Sequence, residues 1–180
     1  MFIRHAEKPG DDGPPHGVDQ DGERDPHSLS VRGWTRAGAL AVLFAHPPAS
    51  LESRVVTPER IVATKSTPEY RSKRERHTAK PTAHRLNLTI DSDYGHADSQ
   101  ALCQSILSDP RPTLVVWHHG SLVDLIQQFP VANRGDLPQV WPEDRFDLMW
   151  VLVRDAGEAD FHFTAVALEL LRGDSPSTNH

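Results

Sequence analysis

Short apolar runs alternate with stretches of helical spacing along this chain, and the order of the two sets the expected fold. Met1-Phe2-Ile3 runs directly into Arg4 and His5, which predicts a strand over residues 1–5. Trp34, Ala37, Ala41 and Phe44 recur at helical intervals and predict an amphipathic helix near 31–46, stopped by Pro47 and Pro48. Residues 60–64 (Arg-Ile-Val-Ala-Thr) read as the next strand. A second helix is expected from Ser72, where Ser72 and Glu75 have the spacing of a capping box. Its inner stripe is Ala79, Thr82, Ala83 and Leu86, and Pro81 is expected to kink it. A third helix covers about 97–109. Pro112 to Trp117 then form an apolar strand ending at His118, followed by a helix on Leu122, Leu125, Ile126 and Phe129. Asp147–Val153 and Phe161–Leu168 flank the turn-rich Asp155-Ala156-Gly157-Glu158 and read as a terminal antiparallel pair.

Between these elements, residues 9–28 concentrate glycine, proline and aspartate and are expected to form a mobile loop. The last residues, 173–180, read as a disordered tail behind a single domain of residues 1–172. Alternating strands and helices predict an α/β fold: a three-layer α/β/α sandwich around a mostly parallel central sheet. In such sheets ligands bind beyond the carboxyl ends of the strands. Two expected strands end on a histidine, His5 and His118, so neighbouring strands would bring these imidazoles together.

Composition narrows the chemistry. The chain has 180 residues, a formal net charge of -6 and 11 histidines. Such a charge disfavours a nucleic-acid binder, which needs a basic face, but allows a local arginine cluster for phosphate. The single cysteine, Cys103, lies in an apolar stretch and reads as core; it suits a reducing, cytoplasmic setting. No apolar run approaches the ~20 residues needed to span a membrane. No HExxH or paired-cysteine spacing points to a metal, and no cofactor motif is present. Trp117, Trp141 and Trp150 read as core or pocket walls.

Three blocks carry the candidate chemistry. Arg4-His5-Ala6-Glu7-Lys8-Pro9 follows the first strand. Ser72-Lys73-Arg74 is backed by Thr78-Ala79, Pro81, Ala83 and Leu86. Leu114-Val115-Val116-Trp117-His118 precedes Gly120, Ser121 and Leu122. Together, in this order and over roughly residues 1–153, they resemble the histidine phosphatase superfamily, the phosphoglycerate-mutase-like fold. Position 6 is Ala where that family often has Gly.

The resemblance implies a phosphomonoesterase that needs no metal and works through phosphohistidine on His5. Arg4, Arg74 and His118 would hold the phosphoryl oxygens, and Lys8 would add a contact as in the phytase-like branch. Glu7, Asp91 and Asp93 are the alternatives for the proton donor. Strand alternation sends His118 and His119 to opposite sides, and the spacing to Leu122 and Leu125 selects His118. The substrate would be a small phosphorylated molecule or a phosphoprotein. A phosphomutase, a catalytically idle phosphoryl binder and a metal-dependent hydrolase are the competing readings.

Overall fold

The computed structural model describes residues 1–10, 13–51 and 54–178. Its central sheet has six strands in the order β5-β4-β6-β1-β7-β8. These are β1 (Phe2–Arg4), β4 (Arg60–Ala63), β5 (Ile90–Asp91), β6 (Thr113–Trp117), β7 (Leu148–Val153) and β8 (His162–Ala167). β5, β4, β6 and β1 run parallel, whereas β7 and β8 close the far edge as an antiparallel pair. The fold is therefore α/β with a mostly parallel sheet, as the element order predicts.

Period-two alternation sorts the strand side chains into two cores. Ile3, Ile61, Ala63, Leu114 and Val116 face one layer with Leu40, Phe44 and Ala79 from α1 (Val31–Ala45) and α2 (Arg74–Leu86). Phe2, Val62, Val115 and Trp117 face the other with Leu102, Leu122 and Leu125 from α3 (Ser99–Leu107) and α4 (His119–Ile126). Both faces of β6 are covered, so residues 114–117 are all apolar, as expected of a central parallel strand. Cys103 is buried in the second core, where burial pushes its thiol up to about 11, and the three tryptophans 117, 141 and 150 are buried there too. No helix among the described residues is long and apolar enough to cross a membrane.

Local chemistry fixes the helix ends near the strand tips. Ser30 caps α1 by accepting from the Gly33 amide, a contact worth about 1 kcal/mol. α1 then passes so close to the segment after His5 that a Cβ on Gly33 would stand 2.5 Å from the Glu7 carbonyl oxygen. α2 starts two residues later than the capping-box reading places it. Its cap position, Lys73, makes no side-chain cap; the Ser72 hydroxyl donates to the Glu75 carboxylate and accepts from the Arg74 amide at 3.3 Å. α2 runs continuously through Pro81 and ends on Asn87, whose left-handed backbone (φ 54°) closes the helix.

Three readings of the sequence are corrected. The stretch 9–28 is not structureless. Strand β2 (Gly17–Val18) pairs with β3 (Leu29–Ser30), and the Asp19 carboxylate accepts from the Asp21 and Glu23 amides, so local hydrogen bonds replace the missing apolar burial; Asp11 and Asp12 lie outside the described residues. The short edge strand β5 escaped the pattern because two residues carry no period. Lastly, the segment 173–178 is docked rather than disordered, because Asp174 is buried against Arg36 and the Ser175 amide donates to Asp147; Asn179 and His180 lie outside the described residues.

Candidate active site

Parallel pairing of β1 with β6, Arg4 opposite Trp117, sets His5 and His118 side by side at the carboxyl ends of the two strands. His5 is only 3% exposed. Its Nδ1 lies 2.8 Å from the Ala6 carbonyl oxygen. A carbonyl can only accept, so Nδ1 carries the proton and Nε2 keeps its lone pair. Burial lowers the His5 pKa to about 4, opposed by the charge of Glu75 and assisted by Arg4 and Arg74. The imidazole is therefore neutral near pH 7, as an attacking nitrogen must be.

Arg4 is equally buried. Its Nη1 donates to the carbonyls of Glu143 (2.6 Å) and Arg145 (3.4 Å), and its guanidinium carbon sits 4.0 Å from the centre of the Phe146 ring. Its Nε has no hydrogen-bond partner although it is shielded from solvent. Burial lowers Arg4 to about 10, which leaves it cationic. An unused donor on a buried cation beside a neutral imidazole is chemistry suited to an anionic oxygen.

Arg74 opens α2 and reaches across to the 26–28 segment, donating to the carbonyls of Ser28 (3.2 Å) and Pro26 (2.8 Å). Its charge is felt at both His5 and His118. Four of the expected site residues, Arg4, His5, Arg74 and His118, thus converge. Glu7 and Lys8 do not join them. The Glu7 carboxylate is locked by Arg36 (2.9 Å) and Arg32 (3.0 Å), and Lys8 is exposed. Asp91 is paired with Arg60 at the β5 edge of the sheet, and the exposed Asp93 donates its amide to Asp91.

Two adjacent imidazoles leave the end of β6, and they face different neighbours. β6 ends at Trp117, His118 is the cap position, and α4 begins at His119. Once the chain turns into a helix, alternation no longer applies. The His119 ring lies 6.0 Å from that of His5, edge to face. The His118 ring turns instead toward Tyr70 (5.3 Å), His96 (6.0 Å) and His119 (4.8 Å). Burial, with help from Arg4, lowers His119 to about 4 and His118 in the same direction.

Glu75 is the other group that the sequence reading left out. It is fully buried, and its two oxygens accept from the Tyr70 hydroxyl (2.7 Å) and the Ser72 hydroxyl (2.8 Å). Burial would raise its pKa; interaction with His5 and these two donors outweigh that and hold it below the usual carboxylate range. Tyr70 is pushed well above its ordinary value by burial and the adjacent carboxylate, so it stays protonated and donating. A signal was present: extending the inner stripe of α2 backwards by four residues from Ala79 lands on Glu75. Among the described residues no group of His, Cys, Asp and Glu is placed to hold a metal ion.

Neither a family model nor a curated protein matches the sequence. Solved structures do match by shape. The protein histidine phosphatase SixA, solved with tungstate, is 15% identical with a TM-score of 0.53, covering 92% of this chain and 94% of that one. Mycobacterial glucosyl-3-phosphoglycerate phosphatase Rv2419c matches in its VO3 complex at 18% identity and a TM-score of 0.52, over 91% of this chain and 95% of that one. Its native structure matches at 17% and 0.52, over 92% and 95%.

Proposed function

We propose that this chain, which has the fold of the histidine phosphatases, hydrolyses a phosphate monoester through a phosphohistidine on His5. The observation that carries the reading is the neutral, buried His5, with Nδ1 committed to Ala6 and Nε2 free, beside the buried cation Arg4. Nε2 forms a bond to phosphorus as the ester P–O bond breaks, and the departing oxygen takes a proton. Water then cleaves the N–P bond and releases orthophosphate. Charge on the transferring group falls to Arg4, Arg74 and the amide ends of α2 and α4, since preorganised donors contribute most in phosphoryl transfer. His119, whose ring is edge-on to His5, is a further candidate beside His118 for holding a phosphoryl oxygen, and the His118 ring lies against Tyr70 and His96.

Glu7 and Asp91 are poor proton donors here because their carboxylates are committed to arginines, and Asp93 is exposed, its amide donating to Asp91. Glu75, ionised and clamped by two hydroxyls, suits steadying positive charge on the imidazoles better than giving up a proton. The same facts favour a second reading, a phosphoryl-binding relative without turnover. A small phosphorylated molecule or a phosphoprotein, met in the cytoplasm, fits either.

Incubation with a generic phosphoryl donor separates the two. A phosphatase forms an acid-labile label on His5 and releases orthophosphate, whereas a binder forms no covalent label. Absence of both label and turnover with a broad panel of phosphorylated metabolites overturns the proposal.

A further inference from the structure

The segment 173–178 reaches both halves of the site through contacts that phosphoryl transfer itself does not use. One line runs to Arg4. Arg145 donates from Nη2 to the carbonyls of Ser175 (3.2 Å) and Ser177 (2.8 Å), and its Nε pairs with Asp147 at 2.6 Å. The other oxygen of Asp147 accepts the Ser175 amide at 2.7 Å. So fixed, Arg145 presents its own carbonyl to Arg4 and to the Trp141 indole, and the same turn presents the Glu143 carbonyl to Arg4.

The other line runs to the segment after His5. Asp174 holds Arg36 through two oxygens (2.7 and 2.9 Å), both side chains being under 5% exposed. The remaining face of Arg36 holds Glu7, two residues beyond His5. The Glu7 carbonyl in turn accepts from the amide and hydroxyl of Ser30 at the start of α1.

We propose that residues 173–178 form a positioning strap: through Arg145 they aim Arg4 at the phosphoryl site, and through Asp174 and Arg36 they hold the backbone that follows His5. The strap rests on the phosphatase reading. Its physical basis is that Arg4 takes its direction from two main-chain carbonyls in a turn, and a turn is only as fixed as its anchors. Arg145, Asp147, Asp174 and Arg36 are thus positioning residues; none of them touches the phosphoryl group.

The test measures tungstate binding by calorimetry on the full chain, alongside the melting temperature, for Arg145→Ala, Arg145→Lys and Asp174→Asn, with Arg4→Ala as reference. Well below the melting temperature, Arg145→Ala and Asp174→Asn are expected to weaken tungstate roughly tenfold to a hundredfold, the cost of a small misplacement. Arg145→Lys, which keeps a cation for Asp147, recovers part of the loss. Unchanged affinity in both variants, while Arg4→Ala loses binding, shows that the strap serves stability alone and overturns the proposal. Should Arg145→Ala fail to fold, Asp174→Asn decides, because Arg36 keeps Glu7. Tungstate binding that survives Arg4→Ala overturns the phosphatase reading, and the strap with it.

Discussion

At their carboxyl ends β1 and β6 deliver Arg4, His5, His118 and His119 into a crowd of buried charge; at their amino ends the same two strands border a cavity of about 670 Å³. That cavity is lined by Met1, Phe2, Thr113, Val151, Arg154 and Phe161 among others. Two of its arginines are already engaged. Arg111 is bound to Asp109 at 2.6 Å, and Arg154 lies over the Phe161 ring at 4.6 Å. At the carboxyl end, by contrast, the Arg4 Nε is buried without a partner, and His5 gives up only one of its two nitrogens. Empty volume is therefore a poor guide to chemistry in this molecule. The unused donor of a buried arginine beside a neutral imidazole is the more telling feature.

This contrast can be broken or sharpened by experiment. The largest effect is expected from His5→Ala, which should lower turnover of a phosphate ester by roughly 10³-fold or more, the loss typical of removing a nucleophile; retained turnover would move the chemistry away from this strand end. Arg74→Ala should cost on the order of 100–1000-fold in kcat, as for loss of one oxyanion donor, measured by steady-state kinetics. His119→Ala should be more damaging than His118→Ala, because the former ring faces His5 and the latter faces Tyr70 and His96. The reverse order gives the phosphoryl contact to His118, as its spacing to Leu122 and Leu125 predicts.

A subtler check is the protonation of the imidazoles, followed by NMR titration. His5 and His119 should stay neutral down to about pH 4. The sign follows from burial, which disfavours the cation. Glu75→Gln removes a charge that favours the protonated ring, so it should move the His5 midpoint lower still. A His5 midpoint near the free value of ~6.5 would show a solvated ring. The smallest effect belongs to the amino end: Arg154→Ala should leave kcat/KM unchanged, and a loss there would mean that the two ends are coupled.

Much of the scaffold could be read from pattern alone. The strands at residues 1–5, 60–64 and 112–117 and the helix from 31 have apolar spacings that admit one periodicity each, and the structure places elements there. His5 and Arg4 were legible for the same reason, since a strand running straight into them fixes where they sit. Other residues depended on turns that pattern does not register. His118 and His119 are both next to an apolar strand, and only the switch into α4 decides which ring meets His5. Glu75 looked like half of a cap, although it also lies on the apolar stripe of its helix.

The sequence by itself determined the order of strands and helices, because periodic burial is a local property of neighbouring residues. It also determined which strand ends carry imidazole and guanidinium. The tertiary structure alone decided which of those groups face one another, which carboxylates are already taken, and where residues 173–178 go. Those outcomes depend on partners far apart in the chain: Asp174 with Arg36, Glu7 with Arg36, and Glu143 with Arg4. No spacing encodes such pairs, since a salt bridge or a carbonyl contact forms wherever the packed elements leave two groups within reach.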